Sequence, residues 1–90
     1  MTVYKIYGIY PLFGHDLLYV GITKKLLRKR YKEHVAYGRS LISQYISENG
    51  GGRQYTIVEL HRVYELCEGL EWERHLIMEL DPPYNVTHKL

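Results

Sequence analysis

The chain has 90 residues, of which 46% are apolar and 24% charged, and a formal net charge of +2. That length allows one small core and leaves no room for a second, so residues 1–90 are read as a single domain, and the apolar fraction excludes extensive disorder. No apolar run approaches the roughly 18 residues of a membrane span, no leader-like start precedes the first pattern, and the one cysteine, Cys67, suits a reducing, cytoplasmic setting without structural zinc.

Val3 to Leu12, rich in Tyr and Ile, predicts a first strand. Phe13-Gly14-His15-Asp16 has turn chemistry, and Leu17 to Gly21 predicts the returning strand of a hairpin. Thr23 is the expected N-cap of a helix running to Tyr37, which Gly38 ends. Ser40 caps a shorter helix reaching Asn49, and three glycines at 50–52 close it. Arg53 to His61 predicts a third strand, with Tyr55, Ile57 and Glu59 on one side. Glu68 to Leu80 predicts a last helix, stopped by Asp81-Pro82-Pro83, and Tyr84 to Leu90 is a tail. The expected fold is α+β, in the order β-β-α-α-β-α, with a small antiparallel sheet flanked by helices.

Charge is segregated along this order. Between Lys24 and Arg39 lie seven basic residues and one acid, whereas between Glu59 and Asp81 lie seven acids and two bases. A basic helix on a nearly neutral chain is the footprint of a polyanion binder, although a solvated helix face carries the same pattern. On a helical wheel Leu27, Tyr31 and Val35 form the core stripe. Lys25, Arg28, Lys29 and Lys32 turn mainly toward solvent. Arg30 and His34 are i, i+4 neighbours on the other border of the stripe, aimed at the edge of the core.

The last helix holds a second anomaly. Glu73 falls inside the arc of Leu76, Ile77 and Leu80, where a lone carboxylate costs several kcal/mol of desolvation. Two partners would offset that cost: a salt bridge to Arg30, or a divalent cation such as Mg²⁺. Composition adds a third signal. The chain has ten tyrosines against one Phe and one Trp, so some hydroxyls are expected to face a working surface.

Gly8-Ile9-Tyr10 closes the first strand and Tyr19-Val20-Gly21 the second. Arg30 and His34 follow on the first helix, Glu73 opens a Glu-x-x-Φ-Φ-x-x-Leu pattern (Φ apolar), and Tyr84-Asn85 comes near the end. In this order, from residue 4 to 85, the chain resembles the GIY-YIG nucleases, with Val in place of Ile in the second triplet. The resemblance implies a three-stranded antiparallel sheet and metal-dependent hydrolysis of a DNA phosphodiester by water. Tyr10 and Tyr19 would bring their hydroxyls together, one of them serving as base or orienting the water. Arg30 would neutralise the scissile phosphate, His34 would hydrogen-bond a tyrosine or that phosphate, and Glu73 would ligate one Mg²⁺ or Mn²⁺. Gly21 and Asn85 would support the site from behind, and Lys24, Lys25, Lys29 and Lys32 would bind the DNA backbone. The other tyrosines, among them Tyr4, Tyr7, Tyr31, Tyr37, Tyr45, Tyr55 and Tyr64, are read as core or rim.

One position departs from the pattern: Ile22 stands where some family members place a lysine directly after the second triplet. Two other functions compete with that of the nuclease. A non-catalytic nucleic-acid-binding module on the same fold would not need a buried, unpaired Glu73. An interaction subunit would need a larger assembly. With all ninety residues spent on one module, the chain reads as a nuclease of low sequence specificity, of phage or mobile-element type, or as the catalytic partner of a DNA-targeting protein; cutting both strands would need a homodimer or two encounters.

Overall fold

All four residues from Ile6 to Ile9 are buried, which a strand with one wet face would not allow. The reason is position: in the computed structural model, which describes residues 1–85, β1 (Tyr4–Pro11) is the middle strand of three. β2 (Tyr19–Thr23) and β3 (Tyr55–Val63) pair with it on either side, both antiparallel. Helices α1 (Leu27–Tyr37) and α2 (Leu41–Glu48) cover one face and α3 (Leu66–Leu80) covers the other. The element order is therefore β-β-α-α-β-α, as the sequence predicts. Among the described residues no helix is long and apolar enough to cross a membrane.

Strand alternation splits the apolar residues into two cores. Tyr7, Ile9, Leu18 and Tyr55 meet Ile42 and Ile46 of α2 on the first face. Ile6, Val20 and Val63 meet Leu76 and Ile77 of α3 on the second. Ile42 and Ile46 lie one turn apart and are fully buried, so truncating either to Ala would cost about 2–5 kcal/mol. That is a large share of the stability of a domain this small.

A bulge keeps both cores supplied from β3. Tyr7 pairs with Glu59 but Ile6 with His61, which leaves Leu60 as an extra residue. The insertion flips the alternation, so Tyr55 and Ile57 serve the first face while Leu60 and Val63 serve the second.

Several predicted boundaries move. Thr23 does not cap α1. It ends β2 opposite Lys5, its side chain accepts the Lys25 N–H, and the capping position falls to Leu26, which has no side-chain cap. Lys24 and Lys25 therefore precede the helix, and the wheel that put Lys25 on its solvent face does not apply. The inward stripe is Leu27, Tyr31 and His34, with Val35 37% exposed. β2 begins at Tyr19, not Leu17. β3 starts at Tyr55 after a short 3₁₀ turn over Gly52–Gln54 and continues to Val63. α3 starts at Leu66, two residues before Glu68. Ser40 caps α2 as expected, its side chain accepting from the Ser43 N–H, and Gly38 ends α1 in the left-handed region at φ 74°. The last helix stops at Asp81, and Val86 to Leu90 of the predicted tail lie outside the described residues.

Candidate active site

Pairing in the β1–β2 hairpin sets Tyr7 opposite Gly21 and Ile9 opposite Tyr19. Residues opposite one another share a face, so Tyr7 and Tyr19 are diagonal neighbours under α1, with ring centroids 6.2 Å apart. Gly21 makes this packing possible: a Cβ there would collide with the Tyr7 ring and hydroxyl. α1 then lays Arg30 and His34 over the pair. The Tyr7 hydroxyl accepts a hydrogen bond from Arg30 Nε at 3.1 Å and shares a hydrogen with His34 Nε2 at 2.7 Å. The His34 ring stands edge-on to Tyr19 at 5.1 Å. Ser43 of α2 donates to the His34 carbonyl and accepts from Ser40 at 2.8 Å, tying the turn that carries His34 to the helix behind it.

Tyr10 is not part of this group. It lies three residues from Tyr7, an odd step on a strand of period two, so it faces the opposite side of the sheet. There its ring sits beside the position a Gly8 Cβ would occupy, next to Leu17 and Leu60. The tyrosine that accompanies Tyr19 is therefore Tyr7, which the sequence reading assigned to the core, and the expectation that Tyr10 and Tyr19 meet is overturned. The signal that separates them is alternation: Tyr7 shares a parity with Ile9, whereas Tyr10 shares one with Ile6 and Gly8.

Burial governs the electrostatics. Tyr7 has no exposed surface, and burial, helped by the neighbouring Tyr19, pushes its pKa well above the ordinary tyrosine value despite the opposing pull of Arg30. Tyr19 is raised by burial and by the negative charge of Glu73, again against Arg30. His34 is 5% exposed, and burial together with Arg30 lowers its pKa to about 4, so it is neutral at physiological pH.

A cavity of about 610 Å³ opens over the group, lined by Tyr19, Arg30 and His34 and by Lys25 and Glu33. Lys25 thus belongs to the rim of the site. Its ammonium pairs with Glu33 Oε2 at 2.5 Å, while Arg30 Nη1 pairs with Glu33 Oε1 at 3.0 Å. Both cations hold the Glu33 carboxyl below its ordinary pKa, Lys25 most strongly. Glu33 was not singled out by the sequence, where it reads as one acid in a basic run. Lys29 and Lys32 line a separate groove of about 320 Å³ with Leu26 and Arg28, and Lys24, exposed in the β2–α1 turn, lines neither.

Glu73 approaches from the second face. It is half-buried on α3, burial raises its pKa, and its charge is felt by Tyr19. Of the two partners considered for Glu73, the salt bridge to Arg30 does not form: Arg30 pairs with Glu33, and Glu73 has no ion pair among the described residues. A half-buried carboxylate without a cationic partner, beside a tyrosine, fits a divalent ion. No cluster of three or more metal-binding side chains accompanies it among the described residues, so water and a substrate oxygen would have to complete the coordination. Asn85 clasps the outer side of β2: its Nδ2 donates to the Val20 carbonyl and its Oδ1 accepts from the Val20 N–H, both at 2.8 Å. That clasp fixes the backbone next to Tyr19.

A family model described as GIY-YIG catalytic domain matches residues 3–85. No curated protein matches the chain, and no solved structure does.

Proposed function

The chain belongs to the GIY-YIG family, whose domains are nucleases, and from that premise we propose that it cleaves DNA phosphodiesters with water as the attacking group and a divalent cation as cofactor. One observation carries this reading: a buried tyrosine hydroxyl held between a guanidinium and a neutral imidazole that both line a cavity with Lys25 at its rim.

Tyr7 alone is a poor base, because burial keeps its proton on. His34, neutral and weakly basic, fixes that hydroxyl through Nε2, and Arg30 Nε is the group that stabilises negative charge on the Tyr7 oxygen. Tyr19 lines the cavity and Tyr7 does not, so in this reading Tyr19 touches and orients the water. The water's proton passes to the tyrosine pair in its ionised form, which Arg30 favours and a bound cation would favour further. The oxygen left behind attacks phosphorus, and the bond to the leaving oxygen breaks. Arg30 also faces the cavity, where it would neutralise charge developing on the phosphate.

Glu73 is the residue that would hold Mg²⁺ or Mn²⁺. When bound, such an ion polarises the phosphate and neutralises charge on the leaving oxygen. Gly21 and Asn85 act indirectly, Gly21 by admitting the Tyr7 ring and Asn85 by fixing the strand that carries Tyr19. Lys29 and Lys32 in their groove, and Lys24 in the β2–α1 turn, would follow the DNA backbone outside the cavity.

Sequence preference should be weak. Phosphate contacts position a protein without reading bases, α1 is committed to the site, and α3 is acidic. Affinity for arbitrary duplex is expected at roughly 10⁻⁴–10⁻⁶ M near physiological salt, with targeting left to a partner protein or to DNA shape. Double-strand cutting would draw on a second copy. The test is incubation with supercoiled plasmid and with single-stranded DNA, with Mg²⁺, with Mn²⁺ and with chelator. Metal-dependent nicking is expected, and no cleavage with either ion would overturn the reading.

A further inference from the structure

Glu33 occupies an unusual place for an acid in a basic helix. One oxygen receives the Arg30 guanidinium and the other the Lys25 ammonium, and the carboxylate sits in the lining of the cavity above Tyr19 and His34. Two oxygens on a single negative centre, gripped by two cations at 2.5 and 3.0 Å, reproduce what two non-bridging oxygens of a phosphodiester would present to the same groups. Sequence position does not force this. Lys25 lies outside α1, eight residues from Glu33, and is brought in by the β2–α1 turn, which Lys5 braces by donating to the Lys25 carbonyl at 2.8 Å.

We propose that Glu33 is an internal stand-in for the substrate phosphate, holding Arg30 and Lys25 together in the free protein and setting how tightly a phosphodiester can bind. The assignment rests on the nuclease reading for its substrate, and makes Glu33 a determinant of affinity without a part in bond cleavage. A phosphate entering the cavity takes over the two cations and turns the carboxylate out toward solvent, where the side chain already has 39% of its surface. Two consequences follow. Binding is weaker than the two cations would give unaided, which favours release of the cut strand. Its salt dependence is also muted, because part of what the DNA displaces is an internal carboxylate and not counterions from solution.

The experiment compares Glu33→Gln with the unaltered protein and with Glu68→Gln, an exposed acid on α3, using a labelled duplex oligonucleotide in chelator and measuring anisotropy across a salt series. Partly exposed ion pairs of this kind translate to tightening of roughly 2- to 30-fold for Glu33→Gln. The slope of log K against log salt should steepen by about 0.9, one further phosphate. Adding Lys25→Gln to Glu33→Gln should reverse most of the gain. In the metal-dependent assay Glu33→Gln should lower KM. Unchanged affinity and slope, or the same tightening from Glu68→Gln, would overturn the assignment. The two readings fail separately. Cleavage by a Glu33→Gln protein that binds no tighter sinks the stand-in and keeps the nuclease. Tighter binding without cleavage by any form does the reverse.

Discussion

Replacing Tyr7 by Phe and, separately, Tyr10 by Phe makes the same chemical change three residues apart, yet the structure assigns the two variants opposite outcomes. The Tyr7 oxygen, in a fully buried side chain, bonds Arg30 Nε and His34 Nε2. A bond to a charged group contributes about 1.5–3 kcal/mol and one to a neutral group about 1. Arg30 keeps 32% of its side-chain surface and recovers hydration, so the low end applies and the loss is about 2.5 kcal/mol. In a domain of this size that lowers Tm by roughly 10–20 °C. The ring stays, so the fold is retained. Nicking assayed well below Tm should fall by about 10²–10⁴, the contribution of a positioned proton-transfer group. The Tyr10 hydroxyl makes no hydrogen bond among the described residues and lies on the other face, so Tyr10→Phe should match the unaltered protein in both melt and rate. A silent Tyr7→Phe beside an inactive Tyr10→Phe would refute the placement of the catalytic tyrosine.

Glu73→Gln should abolish metal-dependent nicking. Its raised pKa means that ionisation costs stability as pH rises above the unfolded carboxylate value, so the variant should melt at or above the unaltered protein at pH 7 and lose that advantage in acid. A metal-dependent rate surviving the change would remove Glu73 from the site. His34 works in the opposite sense. Its folded pKa of about 4 lies below the ordinary 6.5, so stability is complete above pH 6.5 and drains as pH falls toward 4. A melt series on His34→Gln should be flatter across that window, and parallel curves would contradict the buried neutral imidazole. Lys29→Gln with Lys32→Gln should reduce the salt slope of DNA binding by at most about 0.9 per residue while leaving kcat intact; an unchanged slope would mean that DNA docks away from the outer groove.

The element order, the two-sided sheet and the pairing of Arg30 with His34 were legible because each rests on a local period or a neighbour relation along one helix. Glu73 was legible for the same reason, as a charge inside an apolar arc. Three features were not. Tyr7 and Tyr10 carry the same letter, and choosing between them needs the register of the hairpin, which a tripeptide does not encode. Thr23 has the chemistry of a cap, but β2 claims it first, and tertiary pairing overrides the local preference. With the helix start displaced, Lys25 moved from an open face to the rim of the cavity. The grip of Lys25 and Arg30 on Glu33 then joins a turn to a helix, a contact that no single-element pattern could announce.

The clasp of Asn85 on Val20 has a meaning beyond the site. β2 borders only β1, and strands with bare backbone groups on one side recruit other strands, which is how many folded proteins aggregate. Here a single amide satisfies both backbone groups of Val20, and the Tyr84 N–H satisfies the Leu18 carbonyl at 3.0 Å. Two residues after the last helix thus do the work of a fourth strand. The same two residues would guard the protein against templating its own polymerisation at the very strand that presents Tyr19.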